Sequence, residues 1–99
     1  LMMGSIVGSI GSNATGRWYH YATSKTALNM VMRSLAADLK DRGITVMSLH
    51  PGWTQTDMGG PGAALSIDES VGGMVDVVKN LTPADSGRFI AWNGEDVPW

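Results

Sequence analysis

Apolar positions along the chain alternate between short runs and helical stripes. Residues 1–8, LMMGSIVG, start as an apolar run and pass into Gly, Ser and Asn, which predicts the end of a strand entering a loop over 8–17. From 21 to 42 the spacing is helical. Tyr21, Lys25, Leu28, Met32, Leu35 and Leu39 step by four and three, so at about 100° per residue they share one narrow stripe. Gly43 is a natural stop after a last turn carrying Lys40 and Arg42. Residues 44–49, ITVMSL, are β-branched and apolar, a buried strand that Pro51-Gly52 ends. Residues 53–65 are a Gly/Pro-rich loop. Ser66 and Glu69 have capping-box spacing and open a second helix to about 81, with Val71, Met74, Val75 and Val78 as its apolar face. Gly72 and Gly73 weaken that helix by roughly 1 kcal/mol each relative to Ala. Asp85-Ser86-Gly87 is turn chemistry before a last strand over 88–92.

The order is β-α-β-α-β, which argues for an α/β fold with a parallel sheet and helical crossovers. Ligands of such open sheets bind outside the carboxyl ends of the strands, here residues 5–16, 50–58 and the tail after Trp92. The chemistry is to be sought in those segments.

Composition narrows the classes. With 99 residues, 43% apolar and 16% charged, the chain is at most one packed domain. Seven Lys and Arg against nine Asp and Glu, with no run of either sign, give no reason to expect nucleic acid or an acidic membrane as partner. Cysteine is absent and the two histidines, His20 and His50, lie far apart, so no metal site is expected. No stretch approaches the roughly 20 apolar residues of a membrane span, and no signal peptide opens the chain. A cytoplasmic location is the expectation. The chain begins at Leu1 inside an apolar strand, which reads as a piece or a cleaved product of something longer.

The candidate chemistry centres on Tyr21-Ala22-Thr23-Ser24-Lys25. A Tyr and a Lys four apart on a helix are neighbours on one face. A phenol with a pKa of about 10 is a poor acid–base at neutral pH, and a close ammonium favours the phenolate. As a surface pair Tyr-x-x-x-Lys is common. Its position on the inward stripe, with Asp38 the nearest acid along the chain, favours a ligand over surface decoration.

Here the sequence resembles the short-chain dehydrogenase/reductase family. Tyr21-x-x-x-Lys25, continued by Thr26-Ala27-Leu28-Asn29, looks like its active-site signature. Ser5-Ile6-Val7-Gly8 is similar to the family's Ser-x-x-Gly at a strand end, and Pro51-Gly52-Trp53-Thr54-Gln55-Thr56 to its Pro-Gly loop beside the nicotinamide. Gly8-Ser9-Ile10, Trp18-Tyr19, Leu49-His50-Pro51-Gly52-Trp53, Thr56-Asp57-Met58-Gly59-Gly60 and Val97-Pro98-Trp99 resemble, more narrowly, the C-factor and sniffer-like carbonyl reductases.

The resemblance implies the C-terminal, catalytic and substrate-binding part of a Rossmann-like doubly wound parallel sheet, with the dinucleotide-binding half lying upstream. It implies NAD(P)-dependent reduction of a small carbonyl compound, or oxidation of an alcohol, with NADP favoured over NAD. Tyr21 would be the acid–base, Lys25 would lower its pKa and bind the nicotinamide ribose, and Ser5 would polarise the substrate carbonyl. Pro51, Gly52, Thr54 and Thr56 would hold the nicotinamide. By itself the chain is expected to bind dinucleotide weakly and to be inactive.

Ser5 precedes Tyr21 by 16 residues, a longer gap than the family usually has; the usual gap reaches Ser9 instead. Ser5 is preferred on its motif, with 13–17 read as an insertion. Where the family usually has serine, this chain has Gly4. The Gly4 to Gly11 run is not a phosphate fingerprint, because it opens no helix. The opposite face of the first helix (Thr23, Ala27, Met30, Ser34, Ala37) is either a homo-oligomer seam through 21–42 or an intramolecular contact. The four Trp are pocket lining or core, and 58–66 a flap over substrate. The alternative function is a non-catalytic signalling or scaffolding relative of the same fold.

Overall fold

A strand covered on both faces has no reason to alternate apolar with polar residues, and 46–49 is such a stretch. In the computed structural model, which describes residues 1–99, Val46, Met47, Ser48 and Leu49 are all buried. Three parallel strands, β1 (Met2–Met3), β2 (Ser48–His50) and β3 (Phe89–Ala91), form one sheet in that order. Met2 lies opposite Ser48, and Ser48 opposite Phe89.

Side chains alternate across the sheet, so neighbouring residues face different helices. Val46 packs with Met32 and Ala36 of α1 (Tyr19–Asp38). Met47, Leu49 and Ile90 pack beneath Met74, Val77 and Leu81, of which Met74 and Val77 belong to α2 (Ile67–Lys79). One helix therefore covers each face, the doubly wound arrangement expected.

The predicted stripe of α1 is the inward one: Met32 is fully buried, and Tyr21, Lys25, Leu28, Leu35 and Leu39 are partly covered. The helix begins two residues earlier than predicted and ends at Asp38. A short 3-10 turn, Lys40–Arg42, then leads to Gly43 at φ 68°, the expected stop. The strands are shorter than their apolar runs, because ladder bonds form only where neighbours overlap.

The capping box of α2 forms as predicted: Ser66 Oγ accepts from Glu69 N–H, and the Glu69 carboxylate accepts from Ser66 N–H. The Ser66 hydroxyl, which also donates to that carboxylate at 2.7 Å, and the Ser66 N–H together hold the Glu69 carboxyl below its usual range. Of the predicted apolar face only Met74 turns inward. Val71, Val75 and Val78 are exposed, whereas Ser70, Gly73, Met74, Val77 and Leu81 turn inward. The cause is local: a Cβ on Gly73 would sit 2.5 Å from the Trp92 carbonyl oxygen, so the helix presents this glycine to β3's exit.

The tail folds back over β3. Val97 N–H donates to Phe89 O, the Phe89 and Trp99 rings lie 5.8 Å apart, and Arg88 bridges Asp85 and Asp96. No helix is long and apolar enough to cross a membrane.

Candidate active site

Two loops leave the sheet at the carboxyl ends of β1 and β2, and between them they build the site. In the first, Ser5 is extended (φ −154°) and caps a single 3-10 turn, Ile6–Gly8, by accepting from Val7 N–H at 3.2 Å. The Ser5 side chain is buried and donates to no protein group, so its own proton is uncommitted. Gly8 shows why the motif ends in glycine. A Cβ there would lie 2.8 Å from the Lys25 backbone carbon and from its Cβ, so only glycine lets α1 descend onto the loop.

Two side chains fasten that approach. Thr26 donates to Gly8 O at 2.9 Å, and buried Asn29 donates to the same oxygen at 3.5 Å while accepting from Ser48 Oγ at 2.9 Å. Loop, helix and β2 are thus joined through one amide. Sequence reading noted Asn29 within the motif but gave it no task.

Descent of α1 brings Tyr21 to the wall of a cavity of about 530 Å³. Ser5, Pro51, Gly52, Thr54 and Thr56 line the same cavity. Six of the seven predicted site residues thus line one cavity. Lys25, the seventh, stands behind Tyr21: its Nζ lies 5.7 Å from the Tyr21 ring centre and donates to Met3 O at 3.0 Å. Ser9 lies outside. It is 1% exposed, its hydroxyl donates to Pro98 O, and it accepts from Ser12 N–H at 3.1 Å.

On the far wall, Gly52 has φ 81°, and a Cβ there would come within 2.4 Å of Leu65 Cδ1 and 2.9 Å of Trp92 Cδ1. This is a position for glycine alone. Thr54 Oγ1 donates back to Pro51 O at 3.2 Å, and Trp53 Nε1 donates to Gly59 O at 2.9 Å. Of the four tryptophans, Trp53 reaches the cavity, whereas Trp92 and Trp99 pack around Phe89.

His50, Ile67, Ser70 and Met74 also line the cavity, and sequence reading missed them. The signal was present: a capped helix starting straight after the second loop must place its first turns beside that loop. Burial holds the His50 imidazole pKa below its ordinary 6.5. The Gly4 to Gly11 run contains one three-residue 3-10 turn and no α-helix, so it is no dinucleotide cradle.

Apolar walls, hydroxyls from Ser5 and Tyr21 on one side and from Thr54 and Thr56 on the other suit the nicotinamide end of a cofactor beside a small substrate.

Comparison with known proteins bears on the family and the fold. The family described as short chain dehydrogenase matches residues 2–64. C-signal of Myxococcus xanthus is 50% identical over 95 residues, covering 96% of this chain and 57% of that protein. The 1-hydroxy-2-glutathionyl-2-methyl-3-butene dehydrogenase of a Rhodococcus species is 37% identical over 99 residues, covering 96% and 44%. This chain therefore spans about half the length of these relatives. Among solved structures, carbonyl reductase Sniffer of D. melanogaster superposes with TM-score 0.95 at 43% identity, covering 98% of this chain and 39% of that one. An NADPH-bound carbonyl reductase from chicken fatty liver gives 0.91 at 41%, covering 98% and 41%. The chain belongs to the short-chain dehydrogenase family.

Proposed function

We propose that this chain is the catalytic, C-terminal part of a longer oxidoreductase that reduces a small carbonyl compound with NADPH. The observation that carries the reading is the shared cavity: Tyr21 and Ser5 face the Pro51-Gly52 loop across it. NADP rather than NAD is supported by the NADPH and NADP named for the chicken fatty liver and Burkholderia multivorans proteins.

In this reading the bound nicotinamide supplies the hydride. Tyr21 donates its phenolic proton to the carbonyl oxygen, so hydride and proton together make the alcohol. Lys25 keeps a positive charge behind the phenol as it becomes phenolate, held in place through Met3 O. Ser5 donates its uncommitted proton to the same carbonyl oxygen, which holds and polarises it. Ser9 has already given its proton to Pro98 O, which supports Ser5 as the acting serine. Pro51, Gly52, Thr54 and Thr56 form the nicotinamide side. Exposed Thr23, Ala27, Met30 and Ser34 on α1 support a homo-oligomer seam there.

The test uses the full-length protein, NADPH and a panel of small ketones, aldehydes and quinones. Tyr21→Phe is expected to cut kcat by about a thousandfold while cofactor binding stays near normal. Retained turnover would show that another group is the acid. The second reading, a signalling relative without turnover, is favoured by C-signal at 50% identity. It predicts that the unmodified protein neither binds NADPH nor reduces any of the panel.

A further inference from the structure

Serine inside a helix usually turns its hydroxyl back to its own carbonyl one turn earlier. Ser70 does not. It is 1% exposed, the one buried residue of α2, and its hydroxyl leaves the helix to donate to Pro51 O at 2.6 Å, 19 residues away. Its backbone N–H is meanwhile satisfied by Ser66 O. Alanine has higher helix propensity and would fill the site nearly as well, so the hydroxyl has a task outside the helix.

That task concerns the turn. Gly52 N–H points at His50 Nδ1 from 3.4 Å, and the His50 carbonyl oxygen is fixed by Trp92 N–H at 2.8 Å. An imidazole accepting at Nδ1 carries its proton at Nε2 and is neutral. The Pro51-Gly52 turn is therefore gripped at a carbonyl from α2 and at an amide from β2. Leu65 and Trp92 close the space around Gly52. His50 and Ser70 themselves line the cavity that the turn walls.

We propose that Ser70 and His50 are positioning residues that hold the Pro51-Gly52 turn in the shape that accepts the nicotinamide end of the cofactor, an inference that rests on the functional reading above. They set how tightly cofactor binds without taking part in proton transfer.

The experiment measures, in the full-length protein, the NADPH dissociation constant by fluorescence titration, the cofactor KM, kcat and the melting temperature. Ser70→Ala is expected to raise the dissociation constant and KM about tenfold, with kcat changed less than about threefold. Ser70→Thr, which keeps a hydroxyl, restores most of the affinity. Independently, His50→Asn, whose side-chain oxygen can accept from Gly52 N–H, keeps affinity within about twofold, and His50→Leu weakens it about fivefold. A lower melting temperature with unchanged NADPH affinity in both Ser70→Ala and His50→Leu overturns the proposal. If Ser70→Ala does not fold, the Asn and Leu variants of His50 decide it alone. Absence of NADPH binding by the unmodified protein overturns the parent reading and this one together. Loss of activity in Tyr21→Phe with unaltered binding in the turn variants overturns only this one.

Discussion

The two loops that face each other across the cavity are held in different ways. The first, residues 5–18, is tied down along its early course: Gly8 lies against α1 and accepts from Thr26 and Asn29, and Ser9 and Gly11 are bonded to the tail at Pro98 O and Trp99 O. The second, residues 51–66, is fastened at its neck by Ser70 and by the pairing of Thr54 with Leu65. Beyond that neck it is held only by bonds within itself, such as Gln55 Nε2 to Ala63 O, and its tip residue Met58 is 86% exposed. A group that must meet a reacting oxygen belongs on the first kind of loop, and a surface that must admit and release a ligand belongs on the second.

The sharpest way to break that contrast is to exchange roles within the first loop. Ser5 and Ser9 are both buried, yet Ser5 faces the cavity and Ser9 faces the tail. Ser5→Ala is expected to lower kcat by about a hundredfold or more, with a stability loss of no more than about 1 kcal/mol from the lost cap on Val7 N–H. Ser9→Ala should do the reverse. The Pro98 carbonyl and Ser12 N–H lose their partner, at a cost of about 1–3 kcal/mol in urea unfolding, with kcat kept. If Ser9→Ala were the catalytically dead variant, the shorter spacing to Tyr21 would be the right guide and the Ser-x-x-Gly reading wrong.

Much of this was legible beforehand, and the parts that were not have physical causes. Periodicity found the α1 stripe because Leu28, Met32, Leu35 and Leu39 put long apolar side chains on its inward face, and the Ser66 and Glu69 pair marked the start of α2. The face of α2 was misread because two of its inward positions are Ser70 and Gly73, neither of which registers as apolar. One is inward to make a hydrogen bond and the other because nothing larger fits against Trp92. Hydrophobic pattern records burial driven by area, and both residues are inside for other reasons. Lys25 was foreseen beside Tyr21, but its bond to Met3 O depends on where β1 ends, which no spacing along α1 contains.

Acid separates the loops next. The part of the first loop that lines the cavity, residues 5–7, holds no titratable side chain, whereas His50 sits at the neck of the second loop, with Tyr21 the one other titratable group on the cavity wall. Lys25, the nearby charge on α1, is engaged by Met3 O, and β1, β3 and α2 present Met3, Gly4, Ala91, Ser70 and Met74 there. Burial lowers the His50 pKa from 6.5, so its neutral form contributes stability that is complete above pH 6.5. That contribution is lost as pH falls from 6.5 through the folded-state value. The Glu69 and Asp85 carboxyls, lowered mainly by hydrogen bonds from Ser66 and Thr82, lose theirs only as pH drops below 4.5 and 3.8. Melting curves should therefore show an upper step that His50→Asn removes and a lower one that it leaves in place. NADPH affinity should weaken across the upper step alone, because protonation turns Nδ1 from acceptor to donor against Gly52 N–H.

The smallest expected effect lies at the tip of the second loop. Met58 lines the cavity yet is mostly exposed, so its side chain contributes little to folding. Met58→Ala is expected to shift unfolding free energy by no more than about 0.5 kcal/mol. If the tip folds over a bound carbonyl compound, the methionine stem covers apolar substrate surface at that moment. KM for an apolar ketone then rises by about threefold with kcat little changed, and KM for a small polar aldehyde stays level. A stability loss above about 1 kcal/mol would place Met58 in packing already present without ligand. The second loop would then be as firmly built as the first, and the contrast between a fixed wall and an opening one would have to be given up.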